Sequence, residues 1–291
     1  TGVAFSYTAD EGVVTCLLKG PGSGSWEQDA EGDLFMELNG TSSLSTLTIT
    51  GYADIERTDI NGDIKTFNAK SSDVEGKINI LGFVRSLSLD DILAGASVEF
   101  NKGKPVPLKT YLTLTADDID GKLSGDLPVS SAKLGSIGDN GMFDILGFVK
   151  SISVSRDIKG SYKTSEYTTK LSIAGNVIGA DIFSENILTF SVKGSVLDSK
   201  INTKNGFKQG TLTITGNVEN SLIDPFYKYT IKGSLINSEV ETEQYTTSFY
   251  VYGSLINSDI SSNGINKFLV KGNLVDCVVN SDNDIGKGSF S

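Results

Sequence analysis

The chain of 291 residues contains no histidine. That absence removes Ser-His-Asp and Cys-His triads, imidazole metal sites and histidine general bases together. Acid–base chemistry would fall to carboxylates, lysine or tyrosine. Arginine is nearly as scarce: Arg57, Arg85 and Arg156 are the only three, which argues against phosphate recognition. There are 36 Asp and Glu against 25 Lys and Arg, for a net charge of −11. Nucleic acid, itself a polyanion, is therefore not an expected partner. No run approaches the ~18 apolar residues of a membrane helix, so this segment is expected to hold no membrane span. Cysteine occurs twice, at Cys16 and Cys277. A bridge between them would need the two ends of the fold to meet, and none is expected. No signal peptide is visible and the chain opens with Thr1 rather than Met, so it reads as a processed or excised segment.

Glycine is what the chain has in quantity, 32 residues against five prolines. Six of them recur at the centre of one short phrase: Gly175, Gly194, Gly216, Gly233, Gly253 and Gly272. The spacings are 19, 22, 17, 20 and 19 residues, the period of a solenoid whose copies stack as coils. Four residues before each glycine stand Leu171, Phe190, Leu212, Tyr229, Phe249 and Phe268. Two before stand Ile173, Val192, Ile214, Ile231, Val251 and Val270, and two after stand Val177, Val196, Val218, Leu235, Leu255 and Leu274. The period is 2, so each copy is strand with one buried face and not helix.

Four residues after each glycine come Gly179, Asp198, Asn220, Asn237, Asn257 and Asp276. These residue types best tolerate positive φ, so this row predicts a ladder of left-handed corners. Small residues follow at Ala180, Ser199, Ser221, Ser238, Ser258 and Cys277. The unit predicts an all-β fold: a parallel β-solenoid, right-handed by the chirality of parallel crossovers. It has about 20 residues and three short strands per coil, and each coil rises about 4.8 Å.

The same grammar recurs earlier, around Gly82 in residues 80–89 and around Gly147 in residues 145–154. Three segments are expected: residues 1–40 as a β cap or lead-in, 41–160 as irregular coils, and 161–291 as regular coils and tail. Residues 101–110, with Pro105 and Pro107, read as an inserted loop.

Clustered acids supply the candidate chemistry. Asp117, Asp118 and Asp120, with Asp63 beside Asn61 and Gly62, offer turn oxygens that suit calcium. Asp90 and Asp91 form a further acidic pair. The alternative is that these aspartates are turn and corner residues. A second candidate is the row three after each glycine: Ile178, Leu197, Glu219, Ile236, Ile256 and Val275. Strict alternation turns it outward, making an apolar assembly ridge; a tucked corner would instead bury it. A third is the tyrosine group Tyr227, Tyr229, Tyr245, Tyr250 and Tyr252, which could stack on sugar rings.

Tyr7, Thr8, the Gly12 turn, Val14, Leu18 and the run Gly20-Pro21-Gly22-Ser23-Gly24 resemble a family of bacterial extracellular repeat proteins. So do the run Ser45-Thr46-Leu47-Thr48-Ile49-Thr50 and the phrases Gly233-Ser234-Leu235 and Gly253-Ser254-Leu255. At Ala9-Asp10-Glu11-Gly12 the family's acidic turn is eroded. The resemblance implies a large secreted or surface protein of envelope or surface-layer type, and transfers no catalytic residue. The expectation is a structural building block that forms homo-oligomers or a lattice, at the cell surface or outside it. The alternatives are an adhesin or a module for cell-surface glycan, then a polysaccharide-active enzyme working through Asp117 or Asp118, or a phage fibre.

Overall fold

The computed structural model describes residues 2–9, 12–106, 110–204, 210–283 and 287–290. Asp10, Glu11, Pro107 and part of the tail, named above, lie outside them. The chain is all-β, a parallel β-solenoid of about 12 turns with about 20 residues per turn. Among the described residues none is helical, and no helix is long and apolar enough to cross a membrane. The chain divides into two compact units, Thr1–Lys150 and Ser151–Ser291.

The first unit opens with antiparallel strands. Gly2–Ala9 pairs with Gly12–Lys19, which pairs in turn with Thr46–Thr50. Ser23–Gln28 pairs antiparallel with Leu34–Asn39. Parallel stacking then begins at Leu34–Asn39 on Ile55–Asn61, a few residues before the expected boundary at 41. One ladder continues through Val74–Ile80, Ser97–Phe100, Lys122–Gly125 and Met142–Ile145. A second runs from Thr46–Thr50 through Ile64–Ala69, Val84–Leu89, Leu112–Ile119 and Val129–Ile137. The antiparallel strands thus occupy the leading edge of both ladders, where an uncovered edge would template further pairing. Trp26 ties them together: its ring stacks on Phe5 at 4.1 Å and on Tyr7 at 5.8 Å.

The expected third strand per coil is reduced here. It survives as Leu34 paired with Ile55 and Ile55 with Val74, then as single bridges from Val74 to Ile92 and from Ile92 to Ile119. Bulges separate it from the main strand after Leu34 and Ile55; extra residues break the period there.

The second unit has three full ladders. One joins 181–184 to Lys200–Thr203, Leu222–Ile223, Glu239–Thr246, Asp259–Ile265 and Val278–Ser281. Another joins 189–192 to Thr211–Ile214, Lys228–Ile231, Ser248–Val251 and Lys267–Val270. The third is built from two-residue strands, Val177–Ile178 through Leu274–Val275. The rows at minus four and minus two from each glycine are buried throughout. The plus-two row is buried from Val177 to Leu255, while Leu274, with no described coil beyond it on that ladder, is exposed. Rings line up along the core, with Tyr229 to Phe249 at 4.9 Å and Phe249 to Phe268 at 5.8 Å. The buried Tyr229 hydroxyl accepts from the Phe226 amide at 2.7 Å, and burial pushes its pKa well up.

Candidate functional site

The corner row adopts the left-handed backbone at every coil. Its φ is 50° at Asp198, 49° at Asn220, Asn237 and Asp276, 47° at Asn257 and 60° at Gly179. The side chains form a ladder as well. The Asn220 amide donates to Asp198 Oδ1 at 3.0 Å, Asn237 to Asn220 Oδ1 at 3.3 Å and Asn257 to Asn237 Oδ1 at 3.2 Å. Beside it runs a buried serine column. The amides of Ser199, Ser221 and Ser238 each donate to the hydroxyl of the next coil's serine at 3.1 Å. Each hydroxyl donates back to the carbonyl two residues earlier, as Ser221 does to Glu219 at 2.7 Å. Cys277 takes the serine position and its thiol donates to the Val275 carbonyl at 2.9 Å. It is half-buried, unlike the serines, and both cysteines are free thiols.

A third polar column escaped the sequence reading. The residues directly after the repeat glycines are Asn176, Ser195, Asn217, Ser234, Ser254 and Asn273. The amide of each coil's residue donates to the side-chain oxygen of the residue before it in the column, at 2.9–3.1 Å. The signal was present, since all six are Asn or Ser. The glycines themselves are required by contact and not by φ. Gly253 N donates to Gly233 O at 2.9 Å, and a Cβ at Gly253 would lie 2.5 Å from Ser234 Oγ.

The apolar row lies outside the core without being fully exposed. Ile178, Leu197, Ile236 and Ile256 are half-buried, and Val275, on the last coil, is 43% exposed. They stack in parallel register along the short-strand ladder, interrupted at Glu219. Parallel register sets each ridge residue directly beside its counterpart in the adjacent coil. That accounts for partial burial of an outward row.

The acids of the first unit gather differently from expectation. Asp90, Asp91 and Asp117 each place a carboxylate oxygen within 4.8 Å of the others. Asp63 is elsewhere, its Oδ1 accepting the Phe83 amide at 3.1 Å. Asp120 lies against Gly138. Asp118 donates its amide to Asp91 Oδ1 at 2.9 Å and accepts from the Ser136 hydroxyl at 2.6 Å. Of the aspartates read from sequence as calcium ligands, only Asp117 enters this close cluster, and its companions there are Asp90 and Asp91. The cluster lies along a column of stacked aspartates, Asp73, Asp91 and Asp118. The Asp91 amide reaches Asp73 Oδ1 at 3.4 Å, and Tyr52 donates to Asp73 Oδ2 at 2.8 Å.

Crowding shows in the electrostatics. Burial first, then Asp91, Asp73 and Asp117, holds Asp90 above the usual carboxylate range. Burial also raises Asp91; the Asp118 amide opposes it, and Asp73, Asp118 and Asp117 add to the rise. Three carboxylates this close are relieved by protons or by a hard divalent cation. Among the described residues, these three are placed to hold one.

Of the tyrosines, Tyr229 is core, Tyr227 and Tyr250 are half-buried, and Tyr245 and Tyr252 are 48% and 41% exposed. Lys271 Nζ sits 4.5 Å above the Tyr252 ring. No family model, curated protein or solved structure matches this chain.

Proposed function

We propose that the chain is a structural building block of an extracellular or cell-surface assembly, a surface layer, sheath or filament, and that it is not an enzyme. The observation that carries this reading is the half-exposed apolar ridge of Ile178, Leu197, Ile236, Ile256 and Val275. An apolar row on an outward ladder, broken only at Glu219, is a surface for lateral association. The repeat supports the same reading, because coils bonded to coils transmit load along hydrogen-bonded ladders. The net charge of −11 keeps free subunits apart until cations screen it. Sedimentation velocity of the chain and of its Ile236→Ser, Ile256→Ser variant tests the reading. Association of the parent that the folded variant has lost supports it. Equal association of the two, or loss of folding in the variant with a monomeric parent, refutes it.

A second reading, an adhesin or glycan-binding module, is favoured by the exposed rings of Tyr245 and Tyr252, which suit stacking on sugars.

A further inference from the structure

Charge is divided unevenly along the chain. Residues 1–150 hold 22 carboxylates against 12 cations, and residues 151–291 hold 14 against 13. In the second unit it is also divided by face. The ladder from Ser161–Ile173 to Lys267–Val270 points three residues per coil away from its core, at minus five, minus three and minus one from the repeat glycine. Across six coils those 18 positions contain six lysines and no carboxylate. All are at least partly exposed except Ser248. The lysines are Lys170, Lys193, Lys228, Lys232, Lys267 and Lys271, all exposed. None of the six is ion-paired among the described residues.

Their placement is periodic. Along the minus-one column, residues 193, 215, 232, 252 and 271 each donate an amide to the preceding coil, so they stand directly in line. Lysine occupies alternate coils, at Lys193, Lys232 and Lys271, with Thr215 and Tyr252 between. Two coil rises separate the backbone positions of successive lysines, about 9.6 Å from strand spacing alone. Tyr250 and Tyr252 form the row between Lys228 and Lys232 on one side and Lys267 and Lys271 on the other. The Lys271 ammonium lies over the Tyr252 ring, which is 41% exposed.

We infer that this face binds a linear anionic polysaccharide lying along the coil axis. The lysines take the acid groups, and the two tyrosines supply a stacking platform for the sugar rings between them. A sugar residue in an extended chain is about as long as one coil rise, so acids two sugars apart meet lysines two coils apart. The ligand class follows from combining cations, rings and hydroxyl-bearing threonines on one flat sheet. Duplex nucleic acid has no exposed ring face to use the tyrosines. A second copy of this chain, bringing its acid-rich unit, is the competing occupant.

Calorimetric titration at low salt tests the inference with three probes: polygalacturonate for carboxylate, dextran sulfate for sulfate, and dextran as the neutral polymer. The test variant is Lys193→Ser, Lys232→Ser, Lys271→Ser. The control, Lys65→Ser, Lys70→Ser, Lys133→Ser, changes net charge equally at exposed lysines of the first unit. Circular dichroism confirms that each is folded. At least one anionic polymer is expected to bind, with affinity falling as salt rises. The test variant should bind roughly tenfold more weakly, the sum of individually weak surface pairs, and the control should match the parent. Whichever anionic polymer binds more tightly names the acid group. The inference is overturned by equal affinity of variant and control, by dextran binding as well as the charged polymers, or by equally tight binding of duplex DNA. It is also overturned if these lysines instead drive salt-reversible self-association without polymer. None of these results bears on assembly through the isoleucine ridge.

Discussion

Replacing Gly253 by alanine should cost far more than its backbone conformation suggests. The added Cβ would stand 2.7 Å from both the carbonyl carbon and oxygen of Gly233 and 2.5 Å from Ser234 Oγ. Ordinary contact begins at 3.4 Å, so the two coils must separate locally by about 0.7 Å, a shift on the scale that destabilises packed interiors. Three hydrogen bonds cross that junction. Tyr252 N to Ile231 O and Gly253 N to Gly233 O are both 2.9 Å, and Ser254 N to Ser234 Oγ is 3.0 Å. At about 1 kcal/mol each, weakening them costs ~3 kcal/mol, at the upper end of overpacking penalties. Gly179 is the matched contrast. Its φ is +60° and a Cβ there would meet nothing within 4 Å. Gly179→Ala should cost only the ~1 kcal/mol of a left-handed alanine. Gly179→Asn should be nearly neutral, because the other coils carry Asn or Asp at this corner. Urea titration followed by far-ultraviolet circular dichroism ranks the three variants. The reasoning is refuted if Gly179→Ala is the costlier alanine, or if Gly253→Ala loses less than about 1 kcal/mol.

Acidification should stabilise the chain over a mild range. Asp33, Glu75, Asp90 and Asp91 are all held above the usual carboxylate range, by burial first and neighbouring acids next. A raised folded pKa means stability that is full below the unfolded value and lost as pH rises through the folded one. The melting temperature should therefore climb as pH falls from neutrality toward the ordinary carboxylate range, about pH 4, and Asp90→Asn should raise it at neutral pH alone. A melting temperature that only falls over that range would contradict this. Excess calcium should also raise the melting temperature, and Asp117→Asn should shrink the rise; identical melting in calcium and in chelator would remove the cation reading. Cys16 is 1% exposed and burial pushes its thiol up to about 12, whereas Cys277 is half-buried. A thiol reagent should label one cysteine in the native chain and the second only on unfolding, so equal labelling rates would count against the placement of Cys16.

The coils were legible in the sequence because each core row samples one residue type at one offset. Alternation around Gly233 or Gly253 specifies a strand with one wet face, and Asn or Asp at a fixed step specifies a left-handed corner. The column of Asn and Ser directly after the glycines was equally regular. It passed unread because a half-exposed serine beside a turn has many ordinary roles, and only coil stacking reveals its amide partner. The acid cluster was illegible for a different reason. Asp73 to Asp91 spans 18 residues and Asp91 to Asp118 spans 27, with the loop after Phe100 between the latter two. Variable coil length conceals vertical neighbours, so the local run at Asp117, Asp118 and Asp120 looked like one site. The pleat sends Asp117 toward Asp90 and Asp120 toward Gly138. The first unit's reduced third strand was hidden by the bulges after Leu34 and Ile55, which shift the period of the apolar rows.

Electron microscopy of the purified chain by negative stain, in calcium and in chelator, tests the structural reading most directly. The account predicts ordered sheets, tubes or filaments, lost when Ile236 and Ile256 are replaced by serine. Dispersed single particles under every condition, at concentrations where the chain is folded, would contradict it.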